Sequence, residues 1–197
     1  MKKLITLFSA LVFSSTVLFS FNNTKKTVII DAGHGGNDHG ATYNDVLEKN
    51  IALSVASKVK SLNKDENTEI ILTRENDSYP SLSDRSAFVN KKNPVMVISL
   101  HLNRNSEANT HRNGTEIYYS ENNEKAEASK ILAEKLASKF ENSSVKSQNL
   151  HILRASKSPA LLVEMGFINN KEDRELLTSQ HGQNQCAQKI LDFISEN

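Results

Sequence analysis

One cysteine in 197 residues, Cys186, leaves no partner for an internal disulfide. It falls in a C-terminal helical pattern and reads as a buried, inert thiol. No cysteine stands near the end of the apolar N-terminal run, so nothing there can carry a lipid. Proline and glycine are scarce, three and seven residues, and no linker rich in either divides the chain. Internal repeats and low-complexity segments are missing too. Charge of one sign is also lacking: 24 Lys and Arg face 23 Asp and Glu, for a formal net charge of +1. That balance excludes the basic surface that nucleic acid or an anionic membrane would require. Any partner must be sought in a local site.

What is present begins with a leader. Lys2 and Lys3 form a positive n-region and residues 4–21 an apolar core, the pattern of a signal peptide over residues 1–21. Ser20, with Leu18 two before it, is the best cleavage candidate, and the polar residues 22–26 follow. An uncleaved membrane anchor is the other reading, because the run approaches bilayer length but is interrupted by serines. Both readings export residues 22–197, to the periplasm or cell envelope or beyond the cell. That remainder has the length of one domain. Losing Lys2 and Lys3 takes its formal charge from +1 to −1.

Through residues 22–197, apolar runs alternate with helical patterns, the signature of an α/β domain with a mixed, largely parallel, twisted sheet flanked by helices. Six strands are predicted, at residues 27–31, 69–73, 95–101, 115–119, 151–154 and 160–164. Leu47, Ile51, Val55, Val59 and Leu62 mark one face of a first helix. Ala128, Ile131, Leu132 and Leu136 mark a later one, and residues 183–195 a last.

Ligands of open α/β sheets bind beyond the carboxyl ends of the strands. Three predicted strands run into a residue able to bind metal or move a proton: His34, His101 and Glu164. They share one sheet edge only if their strands are parallel. Glu48 stands in the first turn of the helix after the His34 loop. Asp45, three residues before it, also gives the spacing of a capping box, so Glu48 has a plain helix-capping role open to it. Two histidines and a carboxylate form a common zinc set that leaves a fourth position for water, and a second carboxylate suits a general base. The loop GHGGNDHG is neither a P-loop nor GxGxxG. His39, His111, His151 and His181 are read as non-ligands.

Four segments in order resemble the zinc-dependent N-acetylmuramoyl-L-alanine amidases of the bacterial cell wall, type 3. They are VIIDAGHGGNDHGA, LEKNIALSVA, SLSDRSAFVNKKNPVMVISLHLNRN and ILRASKSPALLVEMGFINNKEDRELL. The resemblance implies that His34, Glu48 and His101 hold one zinc ion and that Glu164 is the catalytic acid and base. It implies hydrolysis of the amide between N-acetylmuramic acid and the L-alanine of the stem peptide, with peptidoglycan or muropeptides as substrate. Asp31 and Asn103 either orient the histidines or bond to backbone. His39 stands where a proline is common. Leu102 stands where a small residue is common, and its bulk is expected to shape the groove floor. Some family members carry, between the strands matching 115–119 and 151–154, an insert whose helix covers the metal until a partner removes it. Here residues 120–150 hold one amphipathic helix, around 124–140, and a polar tail, 141–144. No obligatory activator protein is therefore expected.

Overall fold

The computed structural model describes residues 25–197, and the leader expected at residues 1–21 lies outside them. Strand β1 (Lys26–Ala32) is rich in β-branched residues and buried over its last five. A small antiparallel hairpin, β2 (Thr42–Tyr43) and β3 (Val46–Leu47), then delivers the chain to helix α1 (Glu48–Leu62). Helix α1 leads to β4 (Thr68–Leu72), and α2 (Leu82–Lys92) to β5 (Met96–Asn103). Helix α2 starts at a reciprocal capping box between Ser81 and Asp84 and stops at Asn93, which is left-handed at φ 47°. Next come β6 (Thr115–Tyr119), α3 (Ala126–Ala137), β7 (Ser143–Ser147) and α4 (His151–Ala155). Strand β8 (Ala160–Phe167) and helices α5 (Lys171–Thr178) and α6 (Gln180–Ser195) finish the chain.

One six-stranded sheet has the order β4-β1-β5-β8-β6-β7. Strands β4, β1, β5 and β8 are parallel; β6 runs antiparallel to β8, and β7 runs parallel to β6. The expected mixed, largely parallel sheet is therefore present. Its central strands are buried on both faces, which is why they read as unbroken apolar runs. One face packs the larger core, with Val55 and Val59 of α1, Leu136 of α3 and Ile190 and Phe193 of α6. The other, smaller core joins Ile29, Val97, Ala160 and Leu162 to Val89 of α2 and Ile152 and Leu153 of α4.

Two expectations need correction. Residues 151–154 are helical, and Ile152 and Leu153 are both buried against the smaller core. In a strand these neighbours would face opposite sides. A four-residue stretch is too short for its period to distinguish the two states. The sixth strand is instead β7, SSVKS, part of which had the appearance of a polar tail. It is an edge strand with no fully buried residue, so it shows no apolar signal; its backbone hydrogen bonds to β6 place it.

Register carries the fold to the site. Side chains of directly paired residues share a face. Asp31, Ser99, Leu162 and Tyr118 are paired across four strands, and one step further so are His101, Glu164 and Glu116. Both rows face the α2/α4 side, at the carboxyl ends of β1, β5 and β8.

Candidate metal centre

The loop after β1 is rich in glycine yet firmly held. His34 is left-handed at φ 57°, a costly conformation for a residue with a Cβ. Its carbonyl accepts from Arg85 Nη2 at 2.5 Å, while Arg85 Nη1 donates to the Ala32 carbonyl at 2.7 Å and to Asp31 Oδ1 at 2.6 Å. Arg74 Nη2 donates to the Gly33 carbonyl, and Lys49 Nζ to that of Gly36, each at 2.7 Å. Three cations thus fix consecutive turns of the loop. Gly33 is needed for closeness: a Cβ there would fall 2.4 Å from the His101 ring.

This framing brings three side chains together. His34 Nε2 lies 3.0 Å from Glu48 Oε1 and 3.2 Å from His101 Nδ1, and His101 Nδ1 lies 2.8 Å from the same Glu48 oxygen. Ligand atoms around a tetrahedral zinc at about 2.0–2.1 Å are roughly 3.3 Å apart, so the triangle is close to the size such an ion requires. His34, Glu48 and His101 form a group able to bind a metal ion. Glu48 does not cap its helix. Leu47 is the N-cap and makes no side-chain cap bond, whereas Glu48 accepts from the backbone N–H groups of Ala41 and Leu102.

Electrostatics follow from this geometry. Burial would raise the Glu48 carboxyl, but the two imidazoles hold it down at about 2. Burial would lower His34, but Glu48, with Asp38 behind it, raises it to about 9. Beside them, burial raises Glu164 to about 7, with Glu48 and Glu116 pushing the same way against the histidines. Glu164 Oε2 is buried and has no hydrogen-bond partner among the described residues. A carboxylate with a free oxygen beside a metal-binding triangle is equipped to take and return a proton.

A match to the N-acetylmuramoyl-L-alanine amidase family model extends over residues 28–196. The chain belongs to that family. This amidase is 32% identical over 178 residues to the probable cell wall amidase LytH of Staphylococcus saprophyticus, covering 86% of the chain and 57% of LytH. The crystal structure of an N-acetylmuramoyl-L-alanine amidase from Clostridium difficile 630 superposes with a TM-score of 0.81 at 30% identity, over 88% of this chain and 96% of that one. The CwlD amidase of Clostridioides difficile, solved in complex with the GerS lipoprotein, gives 0.73 at 28% identity, over 87% and 98%. Membership makes the chain an enzyme, an amidase of the peptidoglycan hydrolase class.

The remaining residues in the amidase sort by contact. Asp31 orients no histidine: its carboxylate takes Arg85, Thr73 and Ser99. Asn103 bonds to Glu116 and the Arg104 N–H instead. The residue that orients His34 is Asp38, whose Oδ2 lies 2.8 Å from Nδ1 and leaves Nε2 facing the triangle. Sequence reasoning missed it, although an acid four residues after a loop histidine was the available signal. Leu102 is no groove floor; it is buried in the core of the opposite face. His39, His111 and His181 are exposed. His151 lines a cleft of about 190 Å³ beside His34 and His101, with Ser86 Oγ 3.2 Å from its Nε2, and is not part of the metal-binding group.

Proposed function

We propose that the protein hydrolyses the amide between the lactyl group of N-acetylmuramic acid and the first L-alanine of the stem peptide, with one zinc ion held by His34 Nε2, His101 Nδ1 and Glu48 Oε1. The observation that carries this reading is the convergence of those three atoms next to Glu164, whose Oε2 is buried and unpartnered among the described residues. Two neutral imidazoles and one carboxylate suit zinc, and the donor triangle is of the right size. Bound there, the ion would lower the pKa of a water molecule and polarise the scissile carbonyl.

The protein residues do the rest. Asp38 keeps His34 Nε2 turned inward, and the Ala41 and Leu102 N–H groups hold the Glu48 carboxylate in place. Glu164 takes the proton of the attacking water and then delivers it to the alanine nitrogen as the C–N bond breaks. Glu48 is unavailable for that task because it would itself be a ligand of the ion, with two backbone donors already on its carboxylate.

The same reading places the enzyme outside the cytoplasm, where its substrate lies, through the leader at residues 1–21. Among the described residues no helix is long and apolar enough to cross a membrane. It also gives an enzyme that works without an activator. The His34 and His101 side chains remain 23% and 18% exposed, and residues 120–150 supply α3 and β7 to the sheet. CwlD was solved in complex with GerS, and peptidoglycan hydrolysis by the purified protein with and without a cell-envelope extract tests the point. Digesting purified peptidoglycan with the zinc-loaded protein and identifying the products by mass spectrometry tests the whole reading. Intact stem peptides released from glycan are expected; fragments cut inside the peptide would replace it with a peptidase.

A further inference from the structure

The carboxyl edge of the sheet continues past Glu164. On β6, its cross-strand neighbour is Glu116, a buried carboxylate that accepts from four side chains. Arg112 Nη2 donates to Oε1 at 2.8 Å and Lys146 Nζ to the same oxygen at 2.6 Å. Asn103 Nδ2 and the Tyr118 hydroxyl donate to Oε2 at 3.0 and 2.6 Å. One anion therefore faces two cations, and the cluster keeps a charge of +1.

Both cations are anchored at one point and open elsewhere. The Arg112 guanidinium stacks over the Phe167 ring at 5.1 Å, and the Lys146 ammonium stands 6.0 Å from the Tyr118 ring. The Arg112 and Lys146 side chains are nevertheless 57% and 41% exposed. An arginine has five donors and a lysine three, and Glu116 takes only one from each. What remains is a pair of preordered cations facing solvent, next to the proposed acid and base.

The direction of the substrate follows from the proposed chemistry, on which this inference rests. Glu164 must reach the alanine nitrogen to protonate it, so the leaving peptide lies on the Glu164 side of the metal triangle. In the strand order, that side is β6 and β7, with Lys146 on β7 and Arg112 in the loop that leads into β6. A separate cleft, lined by Tyr79, Pro80, Leu82, Leu150 and Ile152, lies over β1, β5 and β8 and includes neither cation. The substrate has the same asymmetry: its sugar half presents a neutral acetamide and hydroxyls, and its peptide half carries carboxylates.

We propose that Arg112 and Lys146, set in place by Glu116, form a specificity site for a carboxylate of the stem peptide. The expected signature is a preference for substrates that keep that carboxylate over substrates in which it is amidated.

The test uses the zinc-loaded full chain and soluble muropeptides in which each peptide carboxylate is amidated in turn, with kcat and KM measured for each. One amidation should lower kcat/KM about three- to tenfold, chiefly through KM, the range expected for a solvent-accessible charge-assisted contact. Raising the salt should shrink that ratio. In Arg112→Gln/Lys146→Gln the ratio should fall to about one. A companion variant adding Glu116→Gln removes the acid left without its cations and should show the same ratio of about one if the double variant folds poorly. Equal use of all muropeptides by the wild type, or a preference that persists in both variants, overturns the specificity site while leaving the proposed reaction standing. No release of peptide from any muropeptide overturns the reaction, and the site with it.

Discussion

Asp31 and Arg85 meet at 2.6 Å with both side chains almost wholly buried, 2% and 4% exposed, at the base of the His34 loop. The pair joins β1 to α2, and Arg85 passes the constraint on by donating to the carbonyls of Ala32 and His34. Arg85→Ala leaves Asp31 buried without its cation and should cost about 3–5 kcal/mol, read from urea unfolding of the apoprotein. A loss under 1 kcal/mol would show that the loop carries itself.

The same pair sets an acid limit. Burial alone would raise Asp31, but the charge of Arg85 with hydrogen bonds from Ser99 and Thr73 outweighs it and holds the carboxyl below its ordinary range. A folded-state pKa below the unfolded value of about 3.9 stabilises the protein fully above that value. The contribution disappears as pH falls through the lower, folded pKa. Thermal melts from about pH 5 to 2 should show a steeper loss for the wild type than for Asp31→Asn, which has no charge to lose. Parallel curves would contradict this assignment.

Glu164→Gln should lower kcat by about 10² to 10⁴ with zinc content unchanged, since the amide cannot accept a proton and the ligands are intact. Glu48→Gln should lose metal and activity together. Elemental analysis of both proteins decides: zinc lost from the Glu164 variant and kept by the Glu48 variant would mean the two roles are exchanged.

Gly33→Ala places a methyl group 2.4 Å from the His101 ring, against a loop that Arg74 and Arg85 hold in position. The ring must turn, so zinc affinity should fall at least tenfold while the melting temperature of the apoprotein changes little. Unchanged affinity would show that the loop yields instead.

Cys186 is buried, unpaired and pushed up to about 12 by that burial, so its thiol is inert at neutral pH. Activity should survive a phosphine reductant and be lost in a strong chelator, then return with added zinc. Inactivation by the phosphine alone would point to a redox step.

The sequence by itself determined the α/β class and placed His34, His101 and Glu164 at the ends of three strands, while the parallel run of β1, β5 and β8 that brings them to one edge came from the structure. Central strands are buried on both faces, so their apolar runs are visible in the chain, and the residues that follow them fall on one edge. Glu48 came from family resemblance; spacing alone left it a capping role, because a helix start does not reveal where its first carboxylate turns. Only the tertiary structure decided the rest. Edge strand β7 and the short helix α4 were illegible, since one is placed by backbone pairing and the other by a few residues packed on a core. Arg74 and the Glu116 cluster were equally hidden, and Asp38 showed only as an acid four residues after His34. Each gains its meaning from carbonyls, rings and carboxylates that folding brings alongside it, and an isolated polar residue carries no period by which to read it.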